Sequence, residues 1–139
     1  MLTGDSRLDL LQLACTAALT GLIWVVQVVV YPAFRFVGAA TATQYHAAHR
    51  RNISAVVVPL MLLEVGLAAL CVAHQASGTA IVLAGLVGVI WASTFFVQVP
   101  LHERLTHGAN GLVVEKLIAT NWIRTVAWTV RVGLLVLAN

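Results

Sequence analysis

Long apolar stretches alternate with short polar ones along the whole chain. Residues 10–34 and 75–101 carry no charged side chain, residues 53–73 carry only Glu64, and residues 117–138 carry only Arg124 and Arg131. A helix needs about 20 apolar residues to cross a bilayer, and backbone groups in lipid must bond within their own segment. The pattern predicts an all-α integral membrane protein, a four-transmembrane-helix bundle with spans at about 9–34, 52–73, 79–101 and 113–138.

Composition supports this class. The chain of 139 residues is 60% hydrophobic and 9% charged, against about 25% charged in an average soluble domain. Four spans with short connections leave room for a single domain, residues 1–139, whose main partner is the lipid bilayer. The net charge of +3 comes from a handful of groups, so no nucleic acid is expected as a partner.

Basic residues predict an orientation. Arg35, Arg50 and Arg51 lie between the first and second spans, whereas the turn between the second and third spans has no Lys or Arg. By the positive-inside rule, loops 35–51 and 102–116 face the cytoplasm of a multi-pass plasma membrane protein, with both termini outside.

The two halves of the chain look weakly alike, as two similar helical hairpins. The first span ends with Gln27, Tyr31 and Pro32, and the third ends with Gln98 and Pro100. The third span also has small residues at four-residue spacing, a pattern that lets helices approach closely and permits a homo-oligomer.

Each span carries one polar stripe when residues are placed at about 100° intervals. Lipid cannot satisfy these groups, so the stripes should face one another and form a polar, aromatic-lined interior. In chain order the stripes comprise Thr16, Thr20, Gln27, Tyr31 and Phe34; His46, His49, Ile53, Leu60 and Glu64; Trp91, Thr94, Gln98, His102 and Leu105; and Leu117, Asn121, Arg124, Trp128 and Arg131.

Depth along the helices suggests which polar groups meet. Glu64 lies at a level between Arg124 and Arg131, so a buried ion pair among these three is the economical interpretation. Ionisable groups inside a membrane are functional candidates by default. The amides of Gln27, Gln98 and Asn121 lie nearer the cytoplasmic end, and Tyr31, His49 and His102 lie at its mouth. The alternative is that this network only fixes the packing of the bundle.

Histidines and cysteines leave further alternatives open. His46, His49 and His102 could approach one another, which would permit a metal ion or a bis-histidine haem, although membrane-boundary histidines are more often solvated and no metal is assigned. The cofactor is therefore unknown, and the sequence requires none. Cys15 and Cys71 are expected to be two small buried thiols, with a disulfide geometrically conceivable.

Two segments of the second half, VQVPLHERL at 97–105 and ATNWIRTVAW at 119–128, carry a family resemblance. They resemble a four-span membrane family of unknown function that includes the anthrone oxygenases of polyketide pathways. Its members end the third span with Asn-x-Pro-Leu-Asn-x-x-Leu and carry Trp-Asn-x-x-Arg-Thr in the fourth. The match lies mainly in residues 97–131. Here Gln98 and His102 replace the two asparagines, and Trp122 follows Asn121 instead of preceding it.

The resemblance implies oxidation of an anthrone-like aromatic to a quinone by O₂. A base removes an acidic C–H proton, and cationic or amide donors stabilise the enolate. The implied roles are His102 or His49 as the base and Arg124, with Asn121 and Gln98, as the oxyanion clamp. The flat substrate ring could stack on Tyr31, Trp91, Trp122 and Trp128. Gln27, on the polar stripe of the first span, is a further candidate for ligand contact.

Other functions fit the same features. A non-catalytic redox or accessory subunit could hold a quinone, haem or other lipophilic molecule, or dock to a larger complex. A small proton-coupled exporter could use Glu64, but small multidrug exporters carry their glutamate in the first span, which is uncharged here. The expectation is a membrane-embedded protein that binds a lipophilic phenol- or quinone-like molecule, with an anthrone-oxygenase-like enzyme as one form of that function.

Overall fold

Four long helices make up the computed structural model, which describes residues 3–107 and 111–138. They are α1 (Ser6–Phe36), α2 (Ala39–His74), α3 (Gly78–Thr106) and α4 (Gly111–Ala138). The described chain is all-helical, as predicted, with only short turns between the helices.

Local sequence explains where two helices begin. The Asp5 side chain accepts hydrogen bonds from the backbone N–H groups of Arg7 and Leu8, which caps α1. The Ser77 hydroxyl accepts from the N–H of Ala80 and caps α3 in the same way. These caps satisfy backbone donors that have no partner inside the first turn.

Helices α1 and α3 each contain a widened turn near their C-terminal end. A π-helical turn occupies Val26–Val30 in α1 and Thr94–Gln98 in α3. Each ends two residues before a proline, Pro32 or Pro100, which cannot donate a backbone hydrogen bond and crowds the preceding turn. The weak likeness of the two hairpins therefore has a structural counterpart in α1 and α3.

Three of the helices, α1, α2 and α3, are long and apolar enough to cross a membrane. Asn121, Arg124 and Arg131 lower the mean hydropathy of α4. All three are buried in the bundle, whereas the outward side chains of α4 include Val126 and Val130, each about half exposed.

The helices pack as a bundle in which α1 contacts α2 and α4, and α3 contacts the same two helices. One end, called here the Arg35 end, holds an exposed ion pair between Arg35 and Glu115, with N–O distances of 2.6 and 2.7 Å. The opposite end, called the Ser77 end, holds the turn between α2 and α3. Helix α2 begins at Ala39 and α3 continues to Thr106, so both extend beyond the predicted spans towards the Arg35 end.

Candidate functional site

Glu64 is buried in the Ser77 half of the bundle, where it forms an ion pair with Arg131. Its Oε1 lies 3.1 Å from Nε of Arg131, and both side chains are fully buried. Thr16 and the Trp128 indole N–H also donate to this carboxylate. The second arginine that the sequence placed near Glu64, Arg124, is not in this ion pair, because it lies two turns nearer the Arg35 end and points to a different set of groups.

Arg124 is 6% exposed, and its partners among the described residues are all neutral groups. Its guanidinium donates to the Asn121 side-chain oxygen, to the Tyr31 hydroxyl at 3.2 Å and to the Thr94 hydroxyl at 3.4 Å. Within the described residues, no carboxylate lies within ion-pair distance of it. A buried cation without a counterion costs several kcal/mol, so this position favours an anionic group from outside the chain.

An amide chain holds Arg124 in place. Gln27 donates to the backbone carbonyl of Ile118 at 3.1 Å and accepts from the Asn121 amide at 2.7 Å. Asn121 in turn accepts from Arg124. Gln27 and Asn121 therefore position the arginine, and neither of these two candidate ligand residues lines the cavity beside it.

Arg124 borders a cavity of about 300 Å³ that all four helices line. The wall is mainly apolar, and its polar groups lie towards the Arg35 end. The predicted ligand residues that line it are Tyr31, Trp91, Gln98, His102, Arg124 and Trp128. Pockets for small molecules commonly combine an apolar wall with a few fixed polar groups in this way.

Two polar atoms in the cavity wall are buried and bond to no described residue. They are the indole Nε1 of Trp91 and the side-chain oxygen of Gln98. The amide nitrogen of Gln98 is held by Thr120 at 3.0 Å. A donor and an acceptor at the same cavity as a buried cation give a ligand three polar contact points.

Tyr31 links the cavity to a cluster of rings at the Arg35 end. Its hydroxyl lies 2.9 Å from Nε2 of His102, and His102 stacks on His49 with ring centroids 6.0 Å apart. Phe34 packs edge-on against His46 and His49 at 4.5 and 5.0 Å. This cluster, called the aromatic plug, consists of Tyr31, Phe34, His46, His49 and His102.

The three histidines are therefore neighbours, as the sequence suggested. Across residues 3–107 and 111–138, however, no group of three His, Cys, Asp or Glu side chains has a geometry that could hold a metal ion. Phe34 packs between the imidazole rings of His46 and His49, and the Tyr31 hydroxyl is hydrogen-bonded to Nε2 of His102.

Two further predictions concern Trp122 and the two cysteines, which lie outside the cavity wall. Trp122 is 44% exposed on the outer face of α4, where it packs edge-on against Trp24 at 5.6 Å, and it does not line the cavity. Its position one residue after Asn121 turns it about 100° away from the interior. Cys15 and Cys71 are both free and buried; Cys71 donates to Gln12 and Cys15 to the carbonyl of Leu60.

Sequence reasoning missed several polar contacts. Thr94 was placed on a stripe but not as a partner of Arg124, and Thr120 was not considered. Asp9 and Gln12 are both 1% exposed in the Ser77 half, and neither was predicted to be an interior group. The spacing of Asp9, Gln12 and Thr16 continues the first stripe, which was the available signal.

Comparison with protein-family models, with curated proteins and with solved structures finds no match for this chain.

Proposed function

We propose that this chain is a four-span membrane protein that binds a lipophilic, acidic aromatic molecule, such as a phenol or a reduced quinone, in the cavity beside Arg124. The observation that carries the proposal is a buried cation with only neutral partners at an apolar cavity of about 300 Å³. Because Arg124 and Arg131 are buried, the outer face of α4 is apolar, which supports the interpretation of α4 as the fourth span. The basic loop at the Arg35 end supports a cytoplasmic location for that end.

The proposed chemistry follows the resemblance to anthrone oxygenases. His102, held by the Tyr31 hydroxyl, would accept the acidic C–H proton of an anthrone-like substrate, and Arg124 would stabilise the resulting enolate oxygen. Reaction of the enolate with one O₂ would convert the methylene carbon to a carbonyl and release one water. Trp91 and Trp128 supply aromatic walls for a planar ring system.

The first experiment is native mass spectrometry of protein extracted gently from its own membrane, with an absorbance spectrum of the same sample. A co-purifying phenol, quinone or related aromatic is expected, and Arg124→Gln should lose it. Arg104→Gln, an exposed arginine away from the cavity, is the matched control. A wild-type protein without ligand that also fails to bind added 1-hydroxy-2-naphthoate would overturn the proposal.

Affinity and turnover separate binding from catalysis. Arg124→Gln should weaken hydroxynaphthoate binding about 10- to 100-fold, since a hydrogen bond to a charged group is worth roughly 1.5–3 kcal/mol. Anthrone and O₂ supplied to the wild type should give anthraquinone with matching O₂ consumption. Binding without turnover would retain the ligand site and remove the oxygenase activity.

A further inference from the structure

The cavity reaches the surface between α2 and α3. Five of its wall residues are exposed, and they come from these two helices: Arg50, Ser54 and Val58 on α2, and Phe95 and Val99 on α3. Every residue that α1 and α4 contribute to the described wall is buried or half-buried. The opening is therefore on the side of the bundle.

The widened turn of α3 explains the gap. Helix α2 packs against the segments of α3 on both sides of Thr94–Gln98 more extensively than against the turn itself. Such π-helical turns frequently occur at functional sites. Here the turn directs Gln98 into the cavity and Phe95 to its rim.

Both ends of the cavity are packed with side chains. At the Arg35 end, Tyr31, Phe34 and His46 of the aromatic plug are each 3% exposed, and His49 and His102 are half-buried. At the other end, the buried Glu64–Arg131 pair and its bond to Trp128 close the bundle. A ligand would have to break one of these networks to enter along the bundle axis, whereas the side opening requires no bond to be broken.

The side opening lies on an apolar face. Val58, Phe95 and Val99 at the rim are 46%, 54% and 44% exposed, and the adjacent Phe96 is 81% exposed. In a membrane, this face contacts acyl chains, so a molecule dissolved in the bilayer meets the opening directly.

Arg50 gives the rim a charge. It lines the same cavity, is exposed, and forms no ion pair with a described residue. It precedes Val58 by two helical turns, roughly 12 Å at 1.5 Å per residue. The cavity therefore has one cation, Arg50, at its outer rim and a second, Arg124, inside. Apolar side chains form the rest of the wall.

We infer that the gap between α2 and α3 is a lateral entrance that admits a lipophilic anion from the bilayer, with Arg50 receiving its acidic group at the rim and Arg124 holding it inside. The inference rests on the proposed function and adds the route and the charge of the ligand. It assigns Arg50 and Val58 roles in ligand access and selection.

The route is tested by narrowing the entrance. Val58→Trp is compared with Val130→Trp, which adds the same ring on α4 at a valine with the same 46% exposure, away from the cavity. Binding of 1-hydroxy-2-naphthoate to protein in nanodiscs is followed by stopped-flow through the ligand's own fluorescence. Val58→Trp should slow association and dissociation, each about tenfold, as expected when access to a site becomes gated. Rates equal to those of Val130→Trp would overturn the lateral route.

The source of the ligand is tested by varying lipid at fixed total ligand. Association should follow the ligand's mole fraction in the bilayer. A rate that follows the free aqueous concentration instead would overturn entry from the membrane. If the wild type binds no ligand, the proposed function itself fails, which is a different outcome from binding with unaltered rates.

The role of Arg50 is tested by charge matching. Arg50→Gln should slow association of hydroxynaphthoate up to about fivefold, the size of an exposed ion pair, and leave the neutral methyl ester unaffected. Arg51→Gln, exposed and outside the cavity wall, is the control. An equal effect on acid and ester, or an equal effect of Arg51→Gln, would overturn the selection of anions at the rim.

Discussion

Two buried arginines on α4 differ in their partners, because Arg131 pairs with a carboxylate and Arg124 does not. Arg131 has Glu64 at 3.1 Å and also donates to the backbone carbonyl of Leu83. Among the described residues, Arg124 has only hydroxyl and amide partners. Glu64 balances the charge of Arg131, whose Nη2 bonds to no described residue, whereas the charge of Arg124 lies beside a cavity where a ligand could balance it.

Glu64→Gln should destabilise the bundle strongly, because it leaves Arg131 buried without its counterion. The expected loss is about 3–5 kcal/mol, as for other broken buried ion pairs. The measurement is reversible unfolding in mixed detergent and SDS micelles. Adding Arg131→Met to Glu64→Gln should recover part of the loss, and a single variant as stable as the wild type would contradict this account.

The two tryptophans of the cavity wall should respond differently to loss of the indole N–H. Trp128 donates to Glu64 at 3.0 Å, whereas Trp91 donates to no described residue. Trp128→Phe should therefore lower stability, and Trp91→Phe should leave stability nearly unchanged but weaken ligand binding. Unfolding and hydroxynaphthoate titration on both variants check this, and a stability loss in Trp91→Phe equal to that in Trp128→Phe would contradict it.

The sequence predicted the place of each residue from its angle around the helix axis and its depth along that axis. The polar stripes identified Arg124, Trp128 and Arg131 as interior groups because helical geometry fixes direction to within a few tens of degrees. Trp122 was assigned by chemical type and lies outside that stripe. The choice between Arg124 and Arg131 as partner of Glu64 depended on the offset of α2 against α4, which loop sequences do not determine.

At the scale of the helix, the π-helical turns set the shape of the site. A π-helical turn corresponds to one extra residue in an otherwise regular α-helix, and the one in α3 lies where α2 and α3 separate. A helical wheel at 100° per residue cannot reveal such a turn. The shared spacing of Gln and Pro in α1 and α3 pointed to this region without indicating the change of period.

Deleting Phe96 from the π-helical turn should be tolerated, because it restores a regular helix without turning the residues on either side. Phe96 is also 81% exposed, so few contacts are lost. Deleting Val89 from the regular part of α3 should unfold the protein, since it rotates all later residues by about 100°. Thermal unfolding checks both deletions, and equal damage from the two would contradict the insertion. The Phe96 deletion should also lose ligand binding as α2 and α3 close together.

For the molecule as a whole, burial and hydropathy give different pictures of α4. Hydropathy alone counts three apolar helices, because it weighs Asn121, Arg124 and Arg131 as though they faced lipid. In the bundle those groups are buried and Ile123, Val126 and Val130 face outward. The proposed fourth span therefore depends on the tertiary arrangement, in which the other three helices shield its polar side chains.

Cysteine labelling of intact cells decides the number of spans. With four spans, a cysteine at Ser77 and one appended to the C-terminus should both react with an impermeant maleimide, whereas His107→Cys should react only after the membrane is opened. If α4 did not cross, the C-terminal cysteine would label together with His107→Cys. The native Cys15 and Cys71 are buried and should stay unlabelled, so the unmodified chain is the control. If the C-terminal cysteine labelled together with His107→Cys, Arg124 would lie outside a membrane-enclosed bundle. The ligand-binding proposal would then lose the low-dielectric surroundings that make the unpaired charge of Arg124 costly.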